Sequence, residues 1–194
     1  MYKSFRIIIF ITAIFICADI IAQNKSDEKN AAIENIMSRT SIRRYQEKKI
    51  LDADVEIMLR AAMAAPTAVN RQPWHFVVVS NSEILESLGG RSKDAPLAIV
   101  VCGDMEKALE REACEYWVQD CSAATQNLLL AAHALGLGAV WQGVYPIKER
   151  VRKVSEILAL APQYVPLSIV ALGYPDESPA PKDKWKAENV RYVK

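Results

Sequence analysis

The sequence has few histidines and cysteines and almost no net charge, and each shortage excludes a class of protein. Among its 194 residues are two histidines and four cysteines, and no two cysteines form a CxxC pair, so neither a zinc site nor a disulfide framework is expected. The formal charge of +1 at pH 7 leaves no strongly basic surface of the kind that binds nucleic acid. The chain also lacks a P-loop, a GxGxxG turn and an ordered serine, histidine and aspartate triad, which argues against a Rossmann dehydrogenase and a hydrolase.

The N-terminal segment has the layout of a secretory signal peptide. Two basic residues precede an apolar run from Ile7 to Ala18, and Ala22 is followed by polar residues. The run of about 12 residues is shorter than the roughly 20 that a membrane-spanning helix needs. We therefore predict a signal peptide over residues 1–22 and an exported protein, periplasmic or membrane-associated through this leader. Acylation at Cys17 is a less favoured alternative, because the residues before it are bulky, and a misread leader would make the protein cytoplasmic.

Residues 23–194 are predicted to form one domain that contains both helices and strands. The predicted helices lie around Ile33–Met37, between a cap at Asp52 or Asp54 and Pro66, and over Ile84–Leu88, Glu112–Leu135 and Pro146–Leu158. The predicted strands are Trp74–Ser80, Leu97–Cys102, Ala139–Trp141 and Val165–Leu172. The nearly all-apolar stretch Leu128–Leu135 indicates burial on most sides and favours a partner subunit. The proline-rich, charged residues 176–194 are expected to form an extended arm.

Two polar loops are candidates for binding a ligand. In an extended segment Arg39, Ser41 and Arg43 project to one side, and two guanidinium groups with a hydroxyl suit a phosphate. Thr67, Asn70 and Gln72 offer the mixture of donors and acceptors that the polar edge of a flavin ring or a ribityl chain requires. The alternatives are a solvated surface loop for the first segment and an ordinary turn rich in amides for the second.

Four segments in a fixed order share the pattern of one enzyme family. They are Arg39-x-Ser41-x-Arg43 with Tyr45, the segment Ala65-Pro66-Thr67-x-x-Asn70-x-Gln72-Pro73-Trp74, the stretch Gly136–Gly143, and Gly173-Tyr174-Pro175 with Pro181–Lys184. Together they resemble the nitroreductase family of FMN-dependent enzymes, with matching order and spacing from about Ile33 to Arg191. The resemblance implies an α+β fold: a mixed, mainly antiparallel sheet flanked by helices, with an extended C-terminal arm swapped onto the partner of a homodimer.

The resemblance also implies which residues bind FMN. Those expected at the phosphate are Arg39, Thr40 and Ser41, with Lys182 or Lys184 adding charge from the arm. Arg43 is expected near the N1/O2 edge of the ring, where positive charge stabilises the reduced flavin. Residues expected from the opposite subunit are Pro66, Thr67, Asn70 and Gln72, while Trp141, Gln142 and Gly143 are expected beside the ring, with backbone amides facing N5. Lys184 departs from the family, where an arginine is common, and Trp141 is bulkier than many residues near that site.

The implied reaction is a ping-pong transfer of two electrons. NAD(P)H or another donor would deliver hydride to the flavin, and a small acceptor such as a nitroaromatic or a quinone would take it from the same face. We expect no catalytic side chain, two FMN sites at the dimer interface, and neither a nucleic-acid partner nor a stable membrane partner. His75, His133 and the cysteines Cys102, Cys114 and Cys121 are interpreted as structural. Reductive dehalogenation, flavin fragmentation and flavin binding without turnover are the alternatives.

Overall fold

The computed structural model of the protein describes residues 30–194. The described chain falls into two units: helix α1, over residues 30–38, and the chain from Arg39 to Lys194. α1 confirms the helix predicted around Ile33–Met37. The predicted signal peptide, residues 1–22, lies outside the described residues. Within residues 30–194, no helix is both long enough and apolar enough to cross a membrane.

The larger unit is built on a four-stranded sheet in which neighbouring strands are antiparallel. The strands are β1 (Trp74–Val79), β2 (Leu97–Asp104), β3 (Gly138–Gly143) and β4 (Tyr164–Gly173), in the spatial order β1-β2-β4-β3. β2 is buried along its whole length and β4 along most of it, which is typical of strands covered on both faces. The remaining strands, β1 and β3, are therefore the two edges of the sheet. The predicted α+β architecture is confirmed.

Four helices cover the two faces of the sheet. They are α2 (Asp52–Met63), α3 (Ser82–Leu88), α4 (Tyr116–Ala134) and α5 (Lys148–Ile157). Side chains alternate between the two faces of a strand. In β2, the side chains of Leu97, Ile99 and Val101 therefore pack in the core under α2 and α4. Those of Ala98, Val100 and Cys102 pack in the core under α3 and α5. The sheet is thus the middle of three layers.

α4 is the most deeply buried helix of the larger unit. Its fully or nearly fully buried positions recur every three or four residues, which directs one broad stripe toward the sheet and α2: Trp117, Asp120, Cys121, Ala124, Thr125, Leu128, Leu129 and Ala132. Ala134 is exposed, and Leu130 and Ala131 are partly buried. Of the eight residues of the apolar stretch Leu128–Leu135, this chain buries Leu128, Leu129 and Ala132. The partner subunit that we inferred from this stretch therefore stays a prediction.

Three predicted helix starts differ from the structure. No side chain caps α2, and Asp52 and Asp54 instead lie in its first turn, where a carboxylate interacts favourably with the helix dipole. α4 begins at Tyr116 rather than at Glu112, because a 3₁₀ turn occupies Arg111–Glu115. α5 begins at Lys148, so that Pro146 precedes the helix instead of opening it.

The C-terminal arm has little regular structure. After β4, Pro175 forms an isolated antiparallel bridge with Tyr45, and the arm then contains one 3₁₀ turn, Ala187–Asn189. From residue 178 onward every residue is exposed, and Trp185 is 68% and Tyr192 76% exposed. The arm thus presents large apolar side chains that the other described residues leave exposed.

Candidate functional site

The loop that carries the predicted phosphate ligands is attached to the edge of the sheet. The amide of Ile42 donates to the carbonyl oxygen of Ala139 in β3 at 3.1 Å, and the Ile42 side chain is buried. Gly138 leaves room for it, since a Cβ at Gly138 would lie 2.5 Å from Ile42 Cγ2. Ile42 points inward, so its neighbours Ser41 and Arg43 are turned toward the other side, where Ser41 is half-buried and Arg43 exposed.

Tyr45 fastens the end of this loop to β4. Its hydroxyl is within hydrogen-bond distance of two carbonyl oxygens, that of Ile42 at 2.7 Å and that of Ala171 at 3.1 Å. Its ring fills the space beside Gly173, where an added Cβ would lie 2.7 Å from Tyr45 Cδ1. Burial, with a smaller contribution from the charge of Glu177, raises the pKa of the Tyr45 hydroxyl above its ordinary value. The hydroxyl therefore stays protonated and able to donate at neutral pH.

Glu177 joins the beginning of the C-terminal arm to the same loop. Its carboxylate accepts hydrogen bonds from the backbone amides of Arg43 and Arg44, and it pairs with Arg44 Nε at 3.4 Å. These groups, with the Arg43 amide first, lower the pKa of the Glu177 carboxyl. Because the carboxylate is directed at backbone amides and at Arg44, it leaves the Arg43 guanidinium without an acidic partner.

Two guanidinium groups of the loop have no carboxylate partner in the described part of the chain. Arg43 Nη1 has one polar contact, with the carbonyl oxygen of Ser41 at 3.4 Å. Neither Arg39 nor Arg43 takes part in an ion pair within residues 30–194. Arg39, Thr40 and Ser41 are half-buried, which places cationic and hydroxyl groups on a partly enclosed surface that suits an anion.

A second loop, Gly89–Ser92, is fastened to the end of β3 by the side chain of Gln142. Gln142 Nε2 donates to the buried Ser92 Oγ at 2.9 Å, and the amide of Arg91 donates to Gln142 Oε1 at 2.6 Å. Gly90 has a φ of +60°, which residues with a Cβ rarely adopt, and an added Cβ would displace the Gln142 side-chain oxygen from its place. The Gln142 side chain is therefore committed to this loop, and only the backbone of Gln142 is left to face a ligand.

The Gly89–Ser92 loop contains Arg91, a further candidate residue that the sequence analysis did not select. The positive charges of Arg43 and Arg91 both act on the Tyr45 hydroxyl, where they oppose the increase in its pKa. The pair Gly89-Gly90, which ends α3 and requires positive φ at both positions, was the only signal in the sequence that this segment makes a special turn.

The loop with the predicted amide ligands has a strained backbone. Val69, Asn70 and Gln72 have φ values of 43°, 57° and 51°, a region that non-glycine residues adopt at a cost of about 1 kcal/mol or more each. Hydrogen bonds hold the loop in this shape: the Gln72 amide donates to Thr67 Oγ1 at 3.1 Å, and Gln72 Nε2 donates to Asn70 Oδ1 at 3.0 Å. Pro66, Asn70 and Gln72 are exposed. A strained loop with exposed amides is typical of a binding site.

Asp120 supports that loop from α4. This buried carboxylate accepts a hydrogen bond from the amide of Ala68 at 2.9 Å. The sequence analysis missed it, although an acidic residue in the middle of an apolar helix was a signal that some donor had to meet it.

The two candidate loops of one chain lie at opposite edges of the sheet. The Thr67–Gln72 loop leads into β1, whereas the Arg39–Arg43 loop is bound to β3. Three steps between neighbouring strands separate these edges, or about 14 Å. Within residues 30–194, no hydrogen bond or ion pair joins the two loops, and Lys182 and Lys184 are exposed and belong to no ion pair.

The remaining residues that the sequence analysis singled out are described by their packing and burial. Trp141 is half-buried against the core beneath α4, and Gly143 is exposed with open space around its Cα. His75 stacks on Tyr164 with ring centroids 3.9 Å apart. Cys102 and Cys121 are buried, and burial raises the pKa of the Cys102 thiol to about 12, so that it is protonated and unreactive at neutral pH.

The comparisons with known proteins agree on one family. The Nitroreductase family model matches residues 36–94 and 90–174 of this chain. A protein of Methanothermobacter thermautotrophicus, assigned as an NADH dehydrogenase/NAD(P)H nitroreductase, is 44% identical, and the match covers 86% of this chain and 88% of the relative. A crystal structure with the same assignment, from Parabacteroides distasonis, has a TM-score of 0.79 and 36% identity and covers 84% of this chain and 97% of its own. An assigned nitroreductase from Desulfovibrio desulfuricans, solved in complex with FMN, has a TM-score of 0.72 and 31% identity, with coverage of 84% and 96%.

The chain belongs to the nitroreductase family. The predicted family and the predicted α+β nitroreductase-like fold are therefore confirmed, whereas the arm swapped onto a dimer partner stays a prediction. The predicted enzyme class, an NAD(P)H-dependent FMN oxidoreductase, and the predicted cofactor are confirmed as well, since relatives include FMN reductases and an FMN complex.

The prediction of an exported, periplasmic or membrane-associated protein is wrong. The archaeal relative, which matches 86% of this chain, is named for the use of NAD(P)H, and that reductant is scarce outside the cytoplasm. The apolar segment that prompted the prediction lies outside the described residues.

Replacing Asp120 with alanine is expected to release the amide loop. The Ala68 amide would lose its acceptor, so hydrogen exchange across residues 67–72 should become faster and the free energy of unfolding should fall by about 1 to 3 kcal/mol. Asp120→Asn keeps an oxygen acceptor and serves as the matched control. Exchange in Asp120→Ala at the wild-type rate would show that this contact does not hold the loop.

The contact between Glu177 and the Arg43–Arg44 amides is expected to depend on pH. Because the folded-state pKa of Glu177 is lowered, the contact stabilises the loop above the ordinary pKa of 4.5 and is lost as the pH falls through the lower, folded-state value. The amide proton shifts of Arg43 and Arg44, followed by NMR, should therefore titrate with a midpoint below 4.5. Glu177→Gln should abolish this titration, and a midpoint at or above 4.5 in the wild type would contradict the assignment.

Proposed function

We propose that this protein is an FMN-dependent oxidoreductase that transfers two electrons from NAD(P)H to nitroaromatic, quinone or similar small acceptors by a ping-pong mechanism. The observation that carries the proposal is the pair of guanidinium groups beside the edge strand β3, those of Arg39 and Arg43, which pair with no carboxylate of residues 30–194. An anionic cofactor bound at this edge would supply the missing charge. Family membership makes FMN the cofactor of choice.

The chemistry of the residues present fits FMN. In this proposal Arg39, Thr40 and Ser41 bind the phosphate through charge-assisted hydrogen bonds, and Lys182 or Lys184 adds charge from the arm. FMN, when bound, supplies the hydride acceptor and donor that no side chain of this chain provides. The protein binds and orients the reactants, and the proposal assigns no proton transfer to a side chain.

Residues at the end of β3 would orient the flavin ring. Arg43, together with Arg91 from the neighbouring loop, places positive charge at the edge of the ring that becomes anionic on reduction. The Gln142 side chain holds the Gly89–Ser92 loop, so the backbone amides of Gln142 and Gly143 are the groups that face the ring. Trp141, packed on the core, keeps this strand end rigid.

Two copies of the chain would build each site. The Thr67–Gln72 loop lies at the opposite edge of the sheet from the cationic loop, and within residues 30–194 no hydrogen bond or ion pair joins the two. We therefore assign Pro66, Thr67, Asn70 and Gln72 to the site of a partner copy, which gives a homodimer with two equivalent sites. The exposed Trp185 and Tyr192 support an arm that packs on that partner.

Arg39→Ala is expected to weaken FMN binding. Loss of one charge-assisted hydrogen bond to the phosphate should raise the Kd for FMN by about ten- to a hundredfold, as measured by quenching of flavin fluorescence. The matched control is Arg60→Ala, which removes a guanidinium paired with Glu56 on α2. Wild-type protein that stays colourless after incubation with FMN, or sedimentation of a stable FMN-loaded monomer, would contradict the proposal.

Arg43→Ala and Arg91→Ala are each expected to lower the flavin potential. Removing about 1 to 2 kcal/mol of stabilisation of the reduced, anionic ring lowers a two-electron potential by about 20 to 40 mV. The potential can be measured by anaerobic titration against a reference dye, with Arg60→Ala again as the control. An unchanged potential in both variants would remove these arginines from the edge of the ring.

A further inference from the structure

A cavity of about 350 Å³ opens between the end of β3 and helix α5. Its floor is apolar and includes Leu88 and Ile169, and one wall is formed by the Gln142–Gly143 strand end. The other wall is α5, which contributes Arg150 and Lys153, one turn apart on the same face of the helix. The cavity therefore adjoins the strand end that is proposed to face the reactive part of the flavin.

The charges around this cavity have one sign. Arg150 and Lys153 are the ionisable residues of its lining, which contains no carboxylate. Arg150 Nη1 donates to the carbonyl oxygen of Gly143 at 3.0 Å, which fixes that guanidinium at the mouth and leaves its other N–H groups to face a ligand. Lys153 belongs to no ion pair within residues 30–194, whereas Arg152, on another face of the helix, pairs with Glu156 at 3.2 Å.

The size and the charge of the cavity together indicate the ligand. A volume of about 350 Å³ lies at the lower end of the range of ligand pockets, about 300 to 1,000 Å³, so it accommodates part of a dinucleotide rather than the whole molecule. A guanidinium and an ammonium on one wall suit a phosphate, and an arginine is the usual partner of the 2′-phosphate of NADP. The nicotinamide has to reach the flavin beside Gly143, so a phosphate of the same molecule can extend into the adjoining cavity.

We propose that Arg150 and Lys153 form a subsite for a phosphate of the nicotinamide nucleotide that donates electrons. The inference rests on the proposed function and adds to it the residues that recognise the donor. The shared chemistry is a phosphate group, which is either the 2′-phosphate that only NADPH carries or the pyrophosphate that NADPH and NADH have in common. Neither residue takes part in the hydride transfer.

The test compares three donors in the FMN-loaded wild type and in the variants Arg150→Gln and Lys153→Gln. The donors are NADPH, NADH and 1-benzyl-1,4-dihydronicotinamide, which has no phosphate. We expect each variant to raise the KM for NADPH about tenfold, and Lys153→Gln to leave the KM for the phosphate-free donor unchanged. A rise for NADPH alone identifies the 2′-phosphate, and a rise for both dinucleotides identifies the pyrophosphate. Lys148→Gln, which removes a charge from the same helix outside the cavity, should behave as the wild type.

A direct binding measurement separates recognition from turnover. Calorimetric titration of the FMN-loaded protein with NADP⁺ should give an affinity about tenfold lower in Lys153→Gln than in the wild type or Lys148→Gln. Lys153→Gln is the decisive variant, because Arg150 also holds the Gly143 carbonyl.

Two results would overturn the subsite. In the first, Lys153→Gln has the same affinity for NADP⁺ and the same KM values as the wild type. In the second, the KM changes equally for all three donors, which would indicate a structural effect. Failure of the proposed function looks different: the wild type would then fail to oxidise even the phosphate-free donor, and the subsite would lose its basis as well.

Discussion

The structure depends on the attachment of the Arg39–Tyr45 loop to the end of β4. Tyr45 is the centre of this attachment, because one hydroxyl reaches carbonyl oxygens of both the loop and β4 while the ring fills the space over Gly173. Glu177 then ties the start of the C-terminal arm to the same loop. Segments more than a hundred residues apart in sequence thereby form one surface, and without this attachment the cationic side chains would have no fixed position.

The electrostatics of that surface follow from how the carboxylate of Glu177 is used. Glu177 is directed at two backbone amides and at Arg44, so it orders the loop without neutralising Arg39 or Arg43. The side-chain amide of Gln142 forms its hydrogen bonds with the loop that carries Arg91. Neutral or backbone-directed contacts thus build the scaffold, and the guanidinium groups are left over for a ligand. This division of roles is what makes the site cationic in a chain whose net charge is only +1.

The sequence could predict what depends on local pattern. Apolar periodicity located the strands and helices of residues 30–194 to within a few residues, and motif order identified the family. It could not predict contacts between distant segments, so Asp120, Arg91 and Glu177 were missed, although each takes part in the structure of a candidate loop. The start of α5 was misplaced for a related reason: proline at 146 is compatible with the first turn of a helix or with the loop before it, and only the folded chain decides.

The sheet order explains why a small protein of this family would need a second copy. A flavin requires cations at its phosphate and amides along its ring, and this chain carries both sets, but it places them at opposite edges of a four-stranded sheet. The sheet and α2 of the same chain bury eight of the 19 residues of α4. In the proposed homodimer, the two loops that contact one flavin come from different copies of the chain. The proposal of a dimer therefore follows from the placement of the two loops at opposite edges of the sheet.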